Sequence, residues 1–124
     1  FLKNKKNKFF LISCEEFTNI NLKRVSKFLC LGNVSFAGEE YLINLLGVKP
    51  GSVTPFALLN NIENNIDFYL DEKLYNSKFI NFHPLTNTAT ITMKCSTFIE
   101  FMIENNKKIH IFSPVEEVIV KTYG

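Results

Sequence analysis

Phe79-Ile80-Asn81-Phe82-His83-Pro84-Leu85-Thr86-Asn87-Thr88-Ala89-Thr90-Ile91-Thr92 is the stretch on which the chain is organised. It opens as an apolar strand. It closes as a second strand in which Ala89, Ile91 and Met93 alternate with Thr90 and Thr92, the period of a half-buried sheet. Between the two stands a polar turn holding a His, a Pro, two Thr and an Asn. A sheet that turns there brings polar side chains and main-chain groups to its edge, where loops on a rigid support meet ligands. An ordinary connection between two strands has the same pattern, and pattern alone favours that plainer reading.

Upstream, Phe56-Ala57-Leu58-Leu59 reads as a strand, Asn60 to Asn65 as a polar turn, and Ile66-Asp67-Phe68-Tyr69-Leu70 as the returning strand of a hairpin. Asp71-Glu72-Lys73-Leu74-Tyr75 reads as a short helical turn. Before these comes Val48-Lys49-Pro50-Gly51-Ser52-Val53-Thr54-Pro55, in which two prolines bracket a glycine. Proline ends a helix and has no amide hydrogen. The amides of Gly51, Ser52, Val53 and Thr54 need partners, either inward on other backbone or outward on an anionic or carbonyl oxygen. The pattern favours the inward answer.

At the start, Phe1 and Leu2 precede a basic turn, Lys3 to Lys8, and Phe9-Phe10-Leu11-Ile12-Ser13-Cys14 is a buried strand. This is a hairpin with lysines at its tip, either a solvated loop or a phosphate contact. Asn21 caps a helix with Leu22, Val25, Phe28 and Leu29 on one side and Lys23, Arg24 and Lys27 on the others; Gly32 and Asn33 end it. Val34-Ser35-Phe36 is extended. Glu39 and Glu40 suit a first helical turn, and Gly47 stops the helix. Downstream, Ser96 caps a helix carrying Phe98, Phe101 and Met102, and Ile109 to Phe112 is the last strand. From Pro114 the chain has no evident partner, so residues 1–113 are expected to form the domain and 114–124 a tail or linker.

With 124 residues, 46% of them hydrophobic, one packed domain is expected. The net charge of +2 is too mild for duplex DNA, and Arg24 is the single arginine. No apolar run reaches membrane-spanning length. Cys14, Cys30 and Cys95 are an odd set without a CxxC pair, which argues against a disulfide framework or a zinc site and for a reducing, cytoplasmic compartment. There is no GxSxG, P-loop or GxGxxG motif, the only aspartates are Asp67 and Asp71, and His83 and His110 lack ligands at zinc spacing. No metal and no cofactor are expected. An enzyme built from these residues works by positioning and main-chain donors. The mixture of hairpins and isolated helices predicts an α+β fold, a mostly antiparallel or mixed sheet with helices around it.

Leu45-Leu46-Gly47-Val48-Lys49-Pro50-Gly51-Ser52-Val53-Thr54-Pro55-Phe56, followed by Asn81-Phe82-His83-Pro84-Leu85-Thr86-Asn87-Thr88-Ala89-Thr90, resembles the YbaK/prolyl-tRNA-synthetase-associated editing family, in its alanyl-tRNA(Pro) deacylase branch. Phe1-Leu2-Lys3, Val34-Ser35-Phe36-Ala37 and Glu39-Glu40 extend the likeness, which runs to about Phe112. The resemblance implies a mixed-sheet fold and hydrolysis of the ester of mischarged tRNA(Pro), by a free-standing protein or by a domain fused to or associated with prolyl-tRNA synthetase. It implies a partner, the aminoacylated 3′ end of tRNA(Pro), and no DNA or membrane. It places the GxxxP loop, Gly51, Ser52, Val53, Thr54 and Pro55, beside the scissile ester, and His83 with Thr86, Asn87 and Thr88 on the other wall. Gly51 to Thr54 and His83 are the catalytic candidates; Pro55, Thr86, Asn87 and Thr88 bind substrate. The family also places a functional Lys just before the segment matching Phe1-Leu2. The resemblance therefore implies that the domain's N-terminal part precedes Phe1 and that residues 1–124 alone are weakly active or inactive; the role does not pass to Lys3. The alternative is an editing-like module of little activity that holds tRNA or protein beside the synthetase.

Overall fold

Asn21 caps as its side chain allows: its Oδ1 accepts from the amides of Lys23 at 3.0 Å and Arg24 at 3.3 Å. In the computed structural model, which describes residues 1–14, 21–49, 53–82 and 91–124, this cap starts α1 (Leu22–Phe28). The strands are β1 (Leu2–Asn4), β2 (Phe9–Ser13), β3 (Val34–Phe36), β4 (Ile66–Asp71), β5 (Phe79–Phe82), β6 (Ile91–Lys94), β7 (Ile109–Ser113) and β8 (Val118–Tyr123). The other helices are α2 (Glu39–Tyr41), which widens into a π-helical turn over Leu42–Leu46, α3 (Glu72–Tyr75) and α4 (Cys95–Glu104).

Six strands form one mixed sheet in the order β3-β1-β2-β4-β7-β8, and β5 pairs with β6 apart from it. The central strands β2, β4 and β7 run parallel, while β1, β3 and β8 join antiparallel. The sequences of the central strands explain the arrangement. Phe9 to Ile12, Phe68 to Leu70 and Ile109 to Phe112 are nearly continuous apolar runs, as strands covered on both faces must be. One face carries Leu11, Phe68, Leu70, Ile109 and Ile111 against α4, through Phe98 and Met102. The other carries Leu2, Phe10, Tyr69 and Phe112 against α1, through Val25 and Leu29. His110 lies on this second face, its ring stacked 4.9 Å from that of Tyr69 and its Nδ1 2.9 Å from Thr122 Oγ1; burial lowers its pKa below the usual imidazole value. Gly47 ends the π-helical turn at φ +67°, where a Cβ would stand 3.2 Å from Asn60 Nδ2, the group that donates to Leu46 O. That position takes glycine for both reasons.

The α+β, mixed-sheet expectation holds, as do the β1–β2 hairpin, α1, β3, α2 and α3, the last capped by Asp71 Oδ1 at 3.0 Å from Lys73 N. Three local expectations are corrected. Phe56 to Leu59 is not a strand and makes no hairpin with Ile66 to Leu70: Pro55–Asn60 is a 3-10 helix, with proline at its first turn where the missing amide hydrogen is harmless. Ser96 does not cap α4, which begins at Cys95 with Lys94 at the cap position, two residues before the expected cap. Residues 114–124 are not a tail: Val118–Tyr123 is β8, paired with β7 and tied to α3 by a 2.5 Å hydrogen bond between the hydroxyls of Tyr123 and Tyr75. Among the described residues no helix is long and apolar enough to cross a membrane.

Candidate functional site

The two motif segments lie 26 residues apart in sequence between Phe56 and Phe82, and the fold brings these residues together. Phe56 directly follows Pro55. Phe82 ends β5 and directly precedes His83. Their rings meet edge to face with centroids 5.7 Å apart. Phe98 of α4 lies under both, 5.9 Å from Phe56 and 4.7 Å from Phe82, and Phe101 stands 6.0 Å from Phe56 on the outer side. Edge-to-face packing of this kind fixes ring positions as well as burying area. The start of the 3-10 helix and the end of β5 are thus held by one aromatic cluster that roots in α4.

Of the residues placed at the site by the sequence, Val53, Thr54 and Pro55 are described; Gly51, Ser52, His83, Thr86, Asn87 and Thr88 lie outside the described residues. Pro55 is buried at the first turn of the 3-10 helix, and Val53 packs against the core. Thr54 is extended, at φ −146° and ψ 151°, and its carbonyl accepts from Ala57 N at 3.0 Å. The amides of Val53 and Thr54 donate to no main-chain carbonyl among the described residues. These are two of the donors that the sequence left without assigned partners.

The Thr54 side chain is the feature that sequence reasoning missed. The residue is 2% exposed, and its Oγ1 is a buried polar side-chain atom without a hydrogen-bond partner among the described residues. Leaving a buried hydroxyl unsatisfied costs about 1–3 kcal/mol, and such a cost is characteristic of groups that meet a ligand or an ordered water. No sequence signal separates this threonine from one that bonds its own backbone.

Two of the three thiols, Cys14 and Cys95, offer little nucleophilic chemistry. Burial, with the Asp71 charge adding to it, pushes Cys14 up to about 12, and burial raises Cys95 as well. A thiol held protonated at neutral pH is a poor nucleophile. No cluster of three or more His, Cys, Asp or Glu among the described residues is placed to hold a metal ion. The described chemistry of the site is therefore a hydroxyl, main-chain amides and an apolar aromatic wall.

Comparison with known proteins places this geometry. The chain is 33% identical over 106 residues to prolyl-tRNA synthetase associated domain-containing protein 1 of Danio rerio, an alignment covering 84% of this chain and 58% of that protein. It is 36% identical over 107 residues to the Xenopus laevis protein of the same name, covering 82% and 63%. It is 28% identical over 94 residues to the prolyl-tRNA editing protein ProX of Acetoanaerobium sticklandii, covering 75% and 57%. The chain thus spans about six tenths of the length of the curated relatives it matches. The fold is shared with a crystal structure of the hypothetical protein APE2540, at TM-score 0.64 and 17% identity over 80% of this chain and 63% of that one. Residues 1–101 match the model of the aminoacyl-tRNA editing domain, and the chain belongs to that family.

Proposed function

We propose that this domain hydrolyses the ester of mischarged tRNA(Pro), with Ala-tRNA(Pro) as the substrate. Support comes above all from the Phe56–Phe82 contact, which brings the residue that follows Pro55 against the residue that precedes His83. A synthetase site shaped for proline rejects the smaller alanine poorly, since each missing methylene is worth only about 1–3 kcal/mol. A second, smaller pocket removes the error by admitting alanine and excluding proline.

An aminoacyl ester is already activated, so water can serve as the nucleophile. Water adds to the ester carbonyl, the bond to the terminal ribose oxygen breaks, and that oxygen takes a proton as alanine leaves. The role assigned to the amides from Gly51 to Thr54 is to stabilise the developing oxyanion, and one such donor is worth about 10²–10³ in rate. Thr54 Oγ1 supplies a further polar contact for the substrate or the attacking water, and His83 orients that water.

The test is release of alanine from Ala-tRNA(Pro) by the wild-type protein and by Gly51→Val. Turnover by wild type, with Pro-tRNA(Pro) spared, and a loss of about 10²-fold or more in the variant are expected. Binding of tRNA without any ester cleavage would favour the module that only holds RNA beside the synthetase.

A further inference from the structure

The basic residues are not spread evenly. Residues 1–36 hold seven Lys and Arg against two Glu, whereas residues 37–124 hold seven against ten Asp and Glu. The fold gathers the first group along one track. The helix α1 starts near the carboxyl ends of the parallel strands: Arg24 forms an ion pair with Glu117, and Glu117 N donates to Ser113 O at the end of β7. It finishes near the opposite end, where Asn4 Nδ2 donates to Leu31 O at 3.0 Å beside the tip of the β1–β2 hairpin.

Two cavities lie end to end on this track. One, of about 650 Å³, is lined by Lys23 and Lys27 of α1; the other, of about 320 Å³, by Lys5, Lys6 and Lys8 of the hairpin. Cys30, Gly32 and Asn33 line both and join them into one groove. All five lysines are exposed, and none has an ion-pair partner among the described residues. Arg24 is engaged by Glu117, and Lys3 by Tyr41, with its Nζ 3.4 Å from the hydroxyl. Among the described residues, Asp67 is the one carboxylate lining the groove. Tyr69, on the groove floor, is held neutral: burial and the neighbouring Asp67 charge push its phenol up to about 12.

Five exposed ammonium groups along one track, none with an ion-pair partner among the described residues, suit a repeating polyanion. The seven-residue α1 spans about 10 Å at 1.5 Å per residue, which is about three nucleotide steps at 3.4 Å each. Resting on the editing function proposed above, we propose that this groove, from Lys23 along α1 to Lys5, Lys6 and Lys8, carries the sugar-phosphate backbone of the substrate RNA. The groove and the Phe56–Phe82 site lie on opposite faces of the sheet. The groove therefore holds the body of the RNA, while the esterified end passes around the sheet to the site. Lysines act here as point charges that position the strand and read no sequence.

The experiment uses the full chain carrying Lys5→Gln, Lys6→Gln, Lys8→Gln, Lys23→Gln and Lys27→Gln together, with the hairpin and helix sets also made separately. Binding of uncharged tRNA(Pro) is followed by fluorescence anisotropy against salt, and cleavage is measured on Ala-tRNA(Pro) and on a short alanyl-CCA oligonucleotide. The expected result is a Kd weakened by about tenfold or more at about 50 mM salt, with a salt slope lower by about 0.7–0.9 per contact removed. Cleavage of the short substrate stays at the wild-type rate, and a control with Lys94→Gln and Lys108→Gln binds as wild type does.

An unchanged Kd and slope in the five-site variant, or loss of poly-glutamate binding with tRNA binding intact, overturns the groove; the second result points to an acidic protein instead. If wild type binds tRNA but cleaves neither ester, the editing function fails while the groove is still decided by the Kd values. Should the five-site variant not fold, the separate sets give the same comparison.

Discussion

Phe98→Ala is expected to destabilise the protein by about 3–5 kcal/mol, the usual cost of emptying a buried phenylalanine site. Phe98 is fully buried, and its ring touches those of Phe56, Phe68 and Phe82. Few collapses can refill that volume, because its neighbours are rings fixed by the sheet and by the 3-10 helix. Domains of this size hold about 5–15 kcal/mol in total, so the loss takes a large fraction of the margin. Urea denaturation should show a lower midpoint with an unchanged slope, the mark of altered stability without an altered unfolded state. Phe101→Ala, at a ring 37% exposed and on the outer side of Phe56, should cost less than half as much. Equal costs at the two positions would mean that the aromatic cluster is not rooted in α4 as described. Because Phe98 underlies both motif segments, deacylation should fall in the variant even at temperatures where it remains folded.

Thr54→Val is expected to move stability and activity in opposite directions. Valine keeps the shape and suits the extended backbone at this position, but removes the hydroxyl. Since Oγ1 is buried and unpaired among the described residues, its loss relieves a desolvation cost, and the variant should gain up to about 1 kcal/mol. If the hydroxyl meets the substrate or the attacking water, turnover of Ala-tRNA(Pro) should drop by about 10²-fold, the scale of losing one well-placed hydrogen-bonding group at an oxyanion site. Such opposed effects are common where a polar group is kept buried for function at the expense of stability. A less stable variant with an unaltered rate would make Thr54 a structural residue and remove it from the site.

Much of the local structure was legible because short-range chemistry settles it. Asn21 is a cap in sequence and a cap in space, the turn read from Asp71 to Tyr75 is a helix, and Gly47 stops a helix where only a positive φ serves. The alternation around Ile91 and Met93 marked a strand, and β6 pairs with β5 so that Thr92 Oγ1 donates to Asn81 Oδ1 at 2.6 Å. The segment Phe56 to Leu59 was misread because four consecutive apolar residues carry no period, and only Pro55 ahead of them hinted at a helical turn. The parallel pairing of β2, β4 and β7 depends on long crossovers, from Ser13 to Ile66 and from Asp71 to Ile109, which no local pattern records. The strand β8 was overlooked behind Ser113-Pro114, although the β-branched run Val118-Ile119-Val120 was a usable signal. At the site, the motif resemblance located the segments, but their meeting through Phe56 and Phe82 is a tertiary fact. The unpaired hydroxyl of Thr54 had no sequence signature.

The strand β8 also bears on where this domain can be cut. Its partner β7 has Ile109, Ile111 and Phe112 fully buried, the composition of an interior strand, and β8 alone covers its outer side. Ending the chain at Ser113, where the sequence suggested a boundary, would bare a row of amides and carbonyls beside those apolar residues. An uncovered margin of that kind recruits strands from other molecules and seeds aggregates. The last eleven residues, modest in their own packing, thus put a strand bearing Lys121 and Thr122 at the sheet's margin in place of one whose side chains belong to the core.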